Sequence, residues 1–220
     1  MSIPLRCPAP TPRRESIFRY LGCGNAPTPE VVALCDSLLP EFLQGLDCRA
    51  CFLEVDVTVE DDLVTLSGLP PVHSAALARN LRGCSRAILF AATIGNAADR
   101  LRMQMQVRSP ARAVVLDAMG TAAVEALCDS LCSAWRAEHA PRQLRSRFSP
   151  GYGDLPLAFQ QALLTLLDAS RQAGITLTEG LMMLPHKSVS AIVGIGSDGC
   201  DVPLHDCAAC GKRNCAFRLT

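Results

Sequence analysis

The chain has 220 residues with 21 basic and 21 acidic side chains, so no net charge draws it to nucleic acid or an anionic membrane, and its length suits one substantial domain. No run is long and apolar enough to span a bilayer, and Met1 to Arg14 mixes prolines with Arg6, Arg13 and Arg14 where a secretory signal would be apolar. Twelve cysteines without an export signal point to the reducing cytoplasm, where thiols fill cores or bind metals in preference to forming disulfides.

Residues 1–14 read as an extended, proline-rich lead. Thr28-Pro29-Glu30 then supplies a capping hydroxyl, a first-turn proline and an early acid ahead of the apolar spacing Val31, Leu34, Leu38 and Leu39, which predicts a helix from Pro29 limited by Pro40 and Gly45. From Cys51 the pattern becomes alternation. Cys51, Leu53, Val55, Val57 and Val59 share one face of a strand, and Glu54, Asp56, Thr58 and Glu60 share the other. Asp61-Asp62 turns the chain into a partner strand carrying Leu63, Val64 and Leu66, which Gly68 to Pro71 end.

Residues 73–82 suit a short helix, and Arg86 to Thr93 a strand apolar enough for a sheet interior. Gly95-Asn96 caps a helix through about Gln106, and after Ser109-Pro110 the Ala-, Leu- and Val-rich stretch from Ala111 to about Ala140 reads as one long, mostly buried helix. Leu157 to Ala173 reads as a further helix stopped by Gly174, and the β-branched run Ser188 to Ile195 as a strand. Without a repeating βαβ rhythm, the order predicts an α+β fold: a mainly antiparallel twisted sheet with long flanking helices over residues 1–195, followed by a cysteine-rich tail over residues 196–220.

That tail carries Cys200, Cys207, Cys210 and Cys215, a clustering of soft ligands that suits one metal centre, and His205 is a possible substitute for one thiolate. The spacing matches neither the paired knuckles of common zinc folds nor the usual ferredoxin run, so zinc and an iron–sulfur cluster both stay open. Elsewhere, cysteines read as core. Cys51 lies on the apolar face of its strand, which argues against a working pair with Cys48, and Cys128 and Cys132 are one turn apart on the long helix. Gly194-x-Gly196-x-x-Gly199 has the letters of a dinucleotide fingerprint, but a cysteine-rich coil follows it where the phosphate-binding helix should begin. No GxSxG, P-loop or HExxH pattern occurs.

Two features in the middle of the chain suggest a ligand. Glu125 sits deep in the apolar stretch Thr121-Ala-Ala-Val-Glu-Ala-Leu-Cys128, where an ionised carboxylate requires a cation or donors. Arg147-Phe-Ser-Pro-Gly-Tyr152 is an irregular loop in which Pro150-Gly151 forces a sharp turn that leaves backbone groups free, while Arg147 offers a planar fork for a carboxylate. The pair suits a zwitterion bearing an extra positive charge. It equally suits a direct ion pair between Arg147 and Glu125.

The run Arg147-x-x-Pro150-Gly151-Tyr152, with the earlier Val124-Glu125-Ala126-Leu127 and the later Leu177-Thr-Glu179, Pro185 and Ser188-Val189-Ser190, resembles the S-adenosylmethionine-binding reactivation domain of cobalamin-dependent methionine synthase. With Arg19-Tyr-Leu-Gly22 and the cysteine-rich end, the whole chain is similar to the stand-alone vitamin B12-dependent methionine synthase activation proteins, whose fold is the activation-domain type. The resemblance implies that Arg147 binds the carboxylate of S-adenosylmethionine, Glu125 its ammonium group, and the backbone at Pro150 and Gly151 its adenosyl part. It places Tyr152 in the catalytic role beside the sulfonium. The implied function is reactivation of a corrinoid-dependent methionine synthase that lacks its own reactivation domain, by reductive methylation of Co(II) cobalamin, with an electron donor as second partner. If the chain is an enzyme, it is one of S-adenosylmethionine-dependent methyl transfer to cobalamin. Cobalamin belongs to the partner, since no D-x-H-x-x-G motif occurs here. The need for an electron favours a [4Fe-4S] cluster over zinc on the four tail cysteines, because zinc has no accessible redox change. A zinc-binding interaction module and a small iron–sulfur electron-transfer protein are the alternatives.

Overall fold

The computed structural model describes residues 1–24 and 26–196. Its centre is a six-stranded sheet in which β2 (Arg49–Glu60) and β8 (Ser188–Gly196) flank β5 (Cys84–Thr93). The long β2 shares its other edge between two partners: β1 (Ile3–Arg6) pairs with residues 49–52, and β3 (Leu63–Leu66) with residues 57–60. β4 (Val72–His73) completes that end, and every pairing is antiparallel. The predicted α+β class with an antiparallel sheet is therefore what the chain forms.

β5 explains why the sheet is covered on both sides. Ile88, Phe90 and Ala92 point into one core, and Ala87, Leu89 and Ala91 into another; all six are fully buried. On the first side lie α1 (Arg14–Tyr20), α2 (Pro29–Gln44), α4 (Asn96–Arg108) and the 30-residue α5 (Pro110–His139), which at 1.5 Å per residue runs about 45 Å. Trp135 of α5 anchors this layer, with ring centroids 5.4 Å from Phe52 and 5.2 Å from Phe90. On the second side lie α3 (Ala75–Leu81), α6 (Phe159–Leu166) and α7 (Ala169–Ala173). The alternating face of Cys51, Leu53, Val55, Val57 and Val59 packs into this second core, as its period predicts. A two-stranded ribbon, β6 (Thr176–Leu177) with β7 (Met183–Leu184), forms a separate sheet whose Leu177 and Met183 pack against the second core.

Several elements differ from the sequence expectation. The proline-rich lead contributes β1, because Ile3 to Arg6 continue the β2 edge that β3 leaves unpaired. Pro40 does not limit α2, which continues to Gln44 around it, and Thr28 makes no side-chain cap. The helix expected over residues 157–173 is two helices, because Asp168 takes a left-handed φ of 50° that aspartate tolerates better than most residues. Gly174 ends α7 with a φ of 71°, as glycine does at a helix C-terminus. Gly194 lies inside β8, which removes the strand-to-helix turn a dinucleotide fingerprint needs. Its lack of a side chain has a packing cause: a Cβ there would lie 2.7 Å from Leu81 Cδ2 and 2.8 Å from Cys84 Sγ. The four tail cysteines and His205 lie outside the described residues.

Candidate functional site

After α5 the chain turns back and lies against the free edge of β8. Arg145 N donates to Gly194 O (2.8 Å), Gly196 N to Gln143 O (2.8 Å), and Phe148 and Ile192 exchange two backbone bonds of 2.9 Å. This short irregular strand fixes the backbone of Arg147 beside the middle of α5. The following loop is fastened from its far end: Asp154 accepts from the Ser74 hydroxyl and from the amides of Ala75 (2.8 Å) and Ala76 (3.1 Å) at the start of α3. The Ser74 hydrogen bond, with those amides, holds the Asp154 carboxyl below its ordinary range.

Arg147 reaches α5 as a fork. Its Nη2 donates to Glu125 Oε2 (2.8 Å), its Nη1 donates to Asp129 Oδ1 (2.7 Å), and Cys132 Sγ backs Nη1 at 4.0 Å. Glu125 and Asp129 are four residues apart and share one helix face, so their like charges would repel without the guanidinium between them. Burial pulls the Arg147 pKa down, but the hydrogen bond to Asp129 and the charges of Glu125 and Asp129 hold it above the ordinary arginine value. The cluster therefore holds one positive and two negative charges.

Glu125 is less buried than its apolar neighbours suggest. Its side chain is 40% exposed and that of Arg147 only 18%, because Glu125 stands at the margin of the α5 core face. The expected cation is Arg147 itself. The sequence reading missed Asp129, although its spacing from Glu125 was a usable signal. It also gave no site role to Tyr20 at the end of α1, whose phenol is pushed up first by burial and then by the charge of Glu125, with a smaller contribution from Asp129.

The Pro150-Gly151 turn forms, with Gly151 at a φ of 90°. Its amides are not free, however. Gly151 N donates to Leu155 O (2.9 Å) and Tyr152 N to Ser149 O (3.0 Å), which closes the loop on itself. Tyr152 is 58% exposed, with its ring edge-on to Phe148 at 6.2 Å. Gly153 meets α3 where a Cβ would lie 2.7 Å from that of Ala76, so a larger residue would push the loop away from its anchor. A cavity of about 420 Å³ bordered by Leu164, Asp168 and Ile175 lies on the other face of the sheet, away from these groups.

Six of the eight cysteines among the described residues are buried, and Cys7 and Cys23 are half-buried. Cys128 and Cys132 are buried among the α5 side chains, and burial raises both pKa values, against the pull of Arg147. Burial likewise pushes Cys48 and Cys51 up to about 11, so none of these sulfurs is a ready thiolate. Among the described residues, no group of three or more His, Cys, Asp or Glu side chains could hold a metal ion. Among the same residues, no helix is long and apolar enough to cross a membrane.

A model of the family described as the activation domain of vitamin B12 dependent methionine synthase matches residues 85–198, just over half of the 220. The chain belongs to this family. The activation-domain match covers β5, α5, the Arg147 loop and β8, which together carry the acid–guanidinium cluster. Among solved structures, the fold matches one described as the MetH reactivation domain bound to AdoHcy, at a TM-score of 0.67 and 14% identity, over 92% of this chain and 80% of that one. A search of curated proteins gave no match.

Proposed function

We propose that this activation-domain protein reactivates a corrinoid-dependent methionine synthase that lacks its own reactivation domain, through reductive methylation of Co(II) cobalamin. S-adenosylmethionine, when bound, supplies the methyl group, and an electron donor supplies the electron. The observation that carries the reading is the ion pair of Arg147 with Glu125 in a chain of this family, formed between the Arg147-x-x-Pro150-Gly151-Tyr152 loop and α5.

The residues fit the ligand. S-adenosylmethionine has a carboxylate, an ammonium and a sulfonium, hence one net positive charge, and the cluster of Arg147, Glu125 and Asp129 has one net negative charge. Arg147 would take the carboxylate and Glu125 the ammonium group, which lets one guanidinium and one acid orient both polar ends. With the loop amides bonded internally, the backbone around Pro150 and Gly151 would meet the adenosyl part through its carbonyls and ring faces. The exposed Tyr152 would cover the sulfonium, where an aromatic face attracts positive charge and excludes water, while leaving the methyl accessible to the partner. Cobalamin comes with the partner.

The tail has a separate role in this reading. Cys200, Cys207, Cys210 and Cys215 would hold a [4Fe-4S] cluster, which would supply one-electron chemistry, with structural zinc as the competing occupant. Anaerobic purification separates the two, since a cluster colours the protein brown and zinc leaves it colourless.

The main test is reconstitution of an inactive Co(II) methionine synthase with reductant, S-adenosylmethionine and this protein, following methylcobalamin by its spectrum. Calorimetry accompanies it. Binding of S-adenosylmethionine that is lost in Arg147→Ala supports the assignment, and undiminished binding in that variant refutes it.

A further inference from the structure

We propose that Asp129 is an internal competitor for Arg147: it occupies one terminal nitrogen of the guanidinium and yields it to the carboxylate of an incoming sulfonium amino acid. The inference rests on the ligand reading above and concerns how that site selects.

Both terminal nitrogens of Arg147 are engaged by acids of its own chain, at 2.8 Å and 2.7 Å. Each terminal nitrogen carries two hydrogens; both of those on Nη1 are engaged, by Asp129 and by Cys132 Sγ, so a ligand carboxylate that grips the two terminal nitrogens together must displace an acceptor there. The two acids differ in how readily they leave. Glu125 is 40% exposed, whereas Asp129 is 70% exposed and holds Arg147 through a pair open to water. A pair so exposed is worth no more than about a five-fold factor in an equilibrium. Asp129 is therefore the arm that opens.

The arrangement also selects by charge. A simple carboxylate approaching the cluster meets two acids and one cation, so net repulsion opposes it. A carboxylate that arrives with an ammonium and a sulfonium brings its own compensation, and the displaced Asp129 remains close enough to attract it. The competitor thus disfavours small anions at little cost to a ligand of net positive charge. Asp129 acts on specificity through Arg147 and is a positioning residue.

Calorimetry on the full chain and on Asp129→Ala tests this with three probes: S-adenosylmethionine, S-adenosylhomocysteine and decarboxylated S-adenosylmethionine. An exposed helix position accepts alanine, and Asp129→Asn serves as a second variant of nearly unchanged size. The expected result is that Asp129→Ala tightens the two carboxylate ligands by about two- to five-fold, the neutral S-adenosylhomocysteine at least as much as S-adenosylmethionine, and does not tighten the decarboxylated probe. Equal weakening of all three would mean that Asp129 contacts the ligand ammonium directly, and would overturn the proposal. No change for any probe would overturn it too. If the parent chain binds S-adenosylmethionine and Arg147→Ala does not, but Asp129→Ala is neutral, the ligand assignment stands and the competitor falls. If no probe binds any form, both fall.

Discussion

Replacing Arg147 by methionine, alone and combined with Glu125→Gln or Asp129→Asn, separates the two arms of the fork. Unit charges about 4 Å apart attract by about 4 kcal/mol at the effective dielectric of a protein surface, and desolvation and side-chain ordering remove most of this. The Glu125 arm joins a carboxylate 40% exposed to a guanidinium only 18% exposed, so a charge-assisted bond there retains about 1.5 kcal/mol. The Asp129 arm, at 70% exposure, retains about 0.5 kcal/mol. Losing both, and leaving two acids facing each other one turn apart at a further cost of about 0.4 kcal/mol, puts Arg147→Met about 2.4 kcal/mol below the parent. Urea unfolding can be followed by Trp135, the chain's one tryptophan, which is 3% exposed and changes surroundings completely on unfolding. The two double-mutant cycles should give coupling energies near 1.5 and 0.5 kcal/mol. Equal couplings, or a larger one for Asp129, would refute both the ranking of the arms and the idea that Asp129 is the one that opens.

Gly194→Ala should cost about 1–3 kcal/mol in the same urea assay, because Leu81 and Cys84 sit where its methyl would go, and a loss too small to resolve would show that they move aside. The Asp154 carboxyl has a folded pKa below its ordinary 3.8, so it stabilises fully above that value and the stabilisation is lost as pH falls through the lower folded value. The stability gap between the parent and Asp154→Asn should therefore be constant near neutrality and close below about pH 4, and a gap that widens in acid would invert the assignment. With pKa values pushed up to about 11, Cys48 and Cys51 are ionised to only about one part in 10⁴ at neutral pH, so native-state alkylation followed by mass spectrometry should leave both unmodified while the protein stays folded.

The parts of the fold legible in sequence are those where a period was long enough to count. The alternation from Cys51 to Val59 gave the right strand and face, and the apolar run before Ala140 gave the long helix nearly to its ends. Elements decided by tertiary contact were not legible. Nothing in Ile3 to Arg6 announces a strand; it forms because β3 pairs with only the far half of β2. Asp168 breaks a helix that its neighbours would continue, since a single left-handed residue leaves no periodic trace. At the site, Glu125 and Arg147 stood out by an acid in an apolar helix and an arginine in an irregular loop, and the resemblance gave them roles; Asp129, one turn from Glu125, was passed over, and the second arm of the guanidinium assigns it. The internal hydrogen bonds of Gly151 and Tyr152 were likewise beyond a reading that took an irregular loop to have free amides.

Those internal bonds bear on how the site would work. The segment before Arg147 is tied to β8 by backbone bonds, and the segment after Tyr152 is tied to α3 through Asp154, so the loop is held at both ends by elements of the packed sheet and its second core. A ligand meeting such a loop does not have to order its backbone, which removes one of the larger entropic costs of binding. The adjustment left to make falls on exposed side chains: the carboxylate of Asp129 and the ring of Tyr152. A rigid backbone with two movable groups suits a site that must grip a small molecule on one side and present its methyl group to a second, much larger molecule on the other.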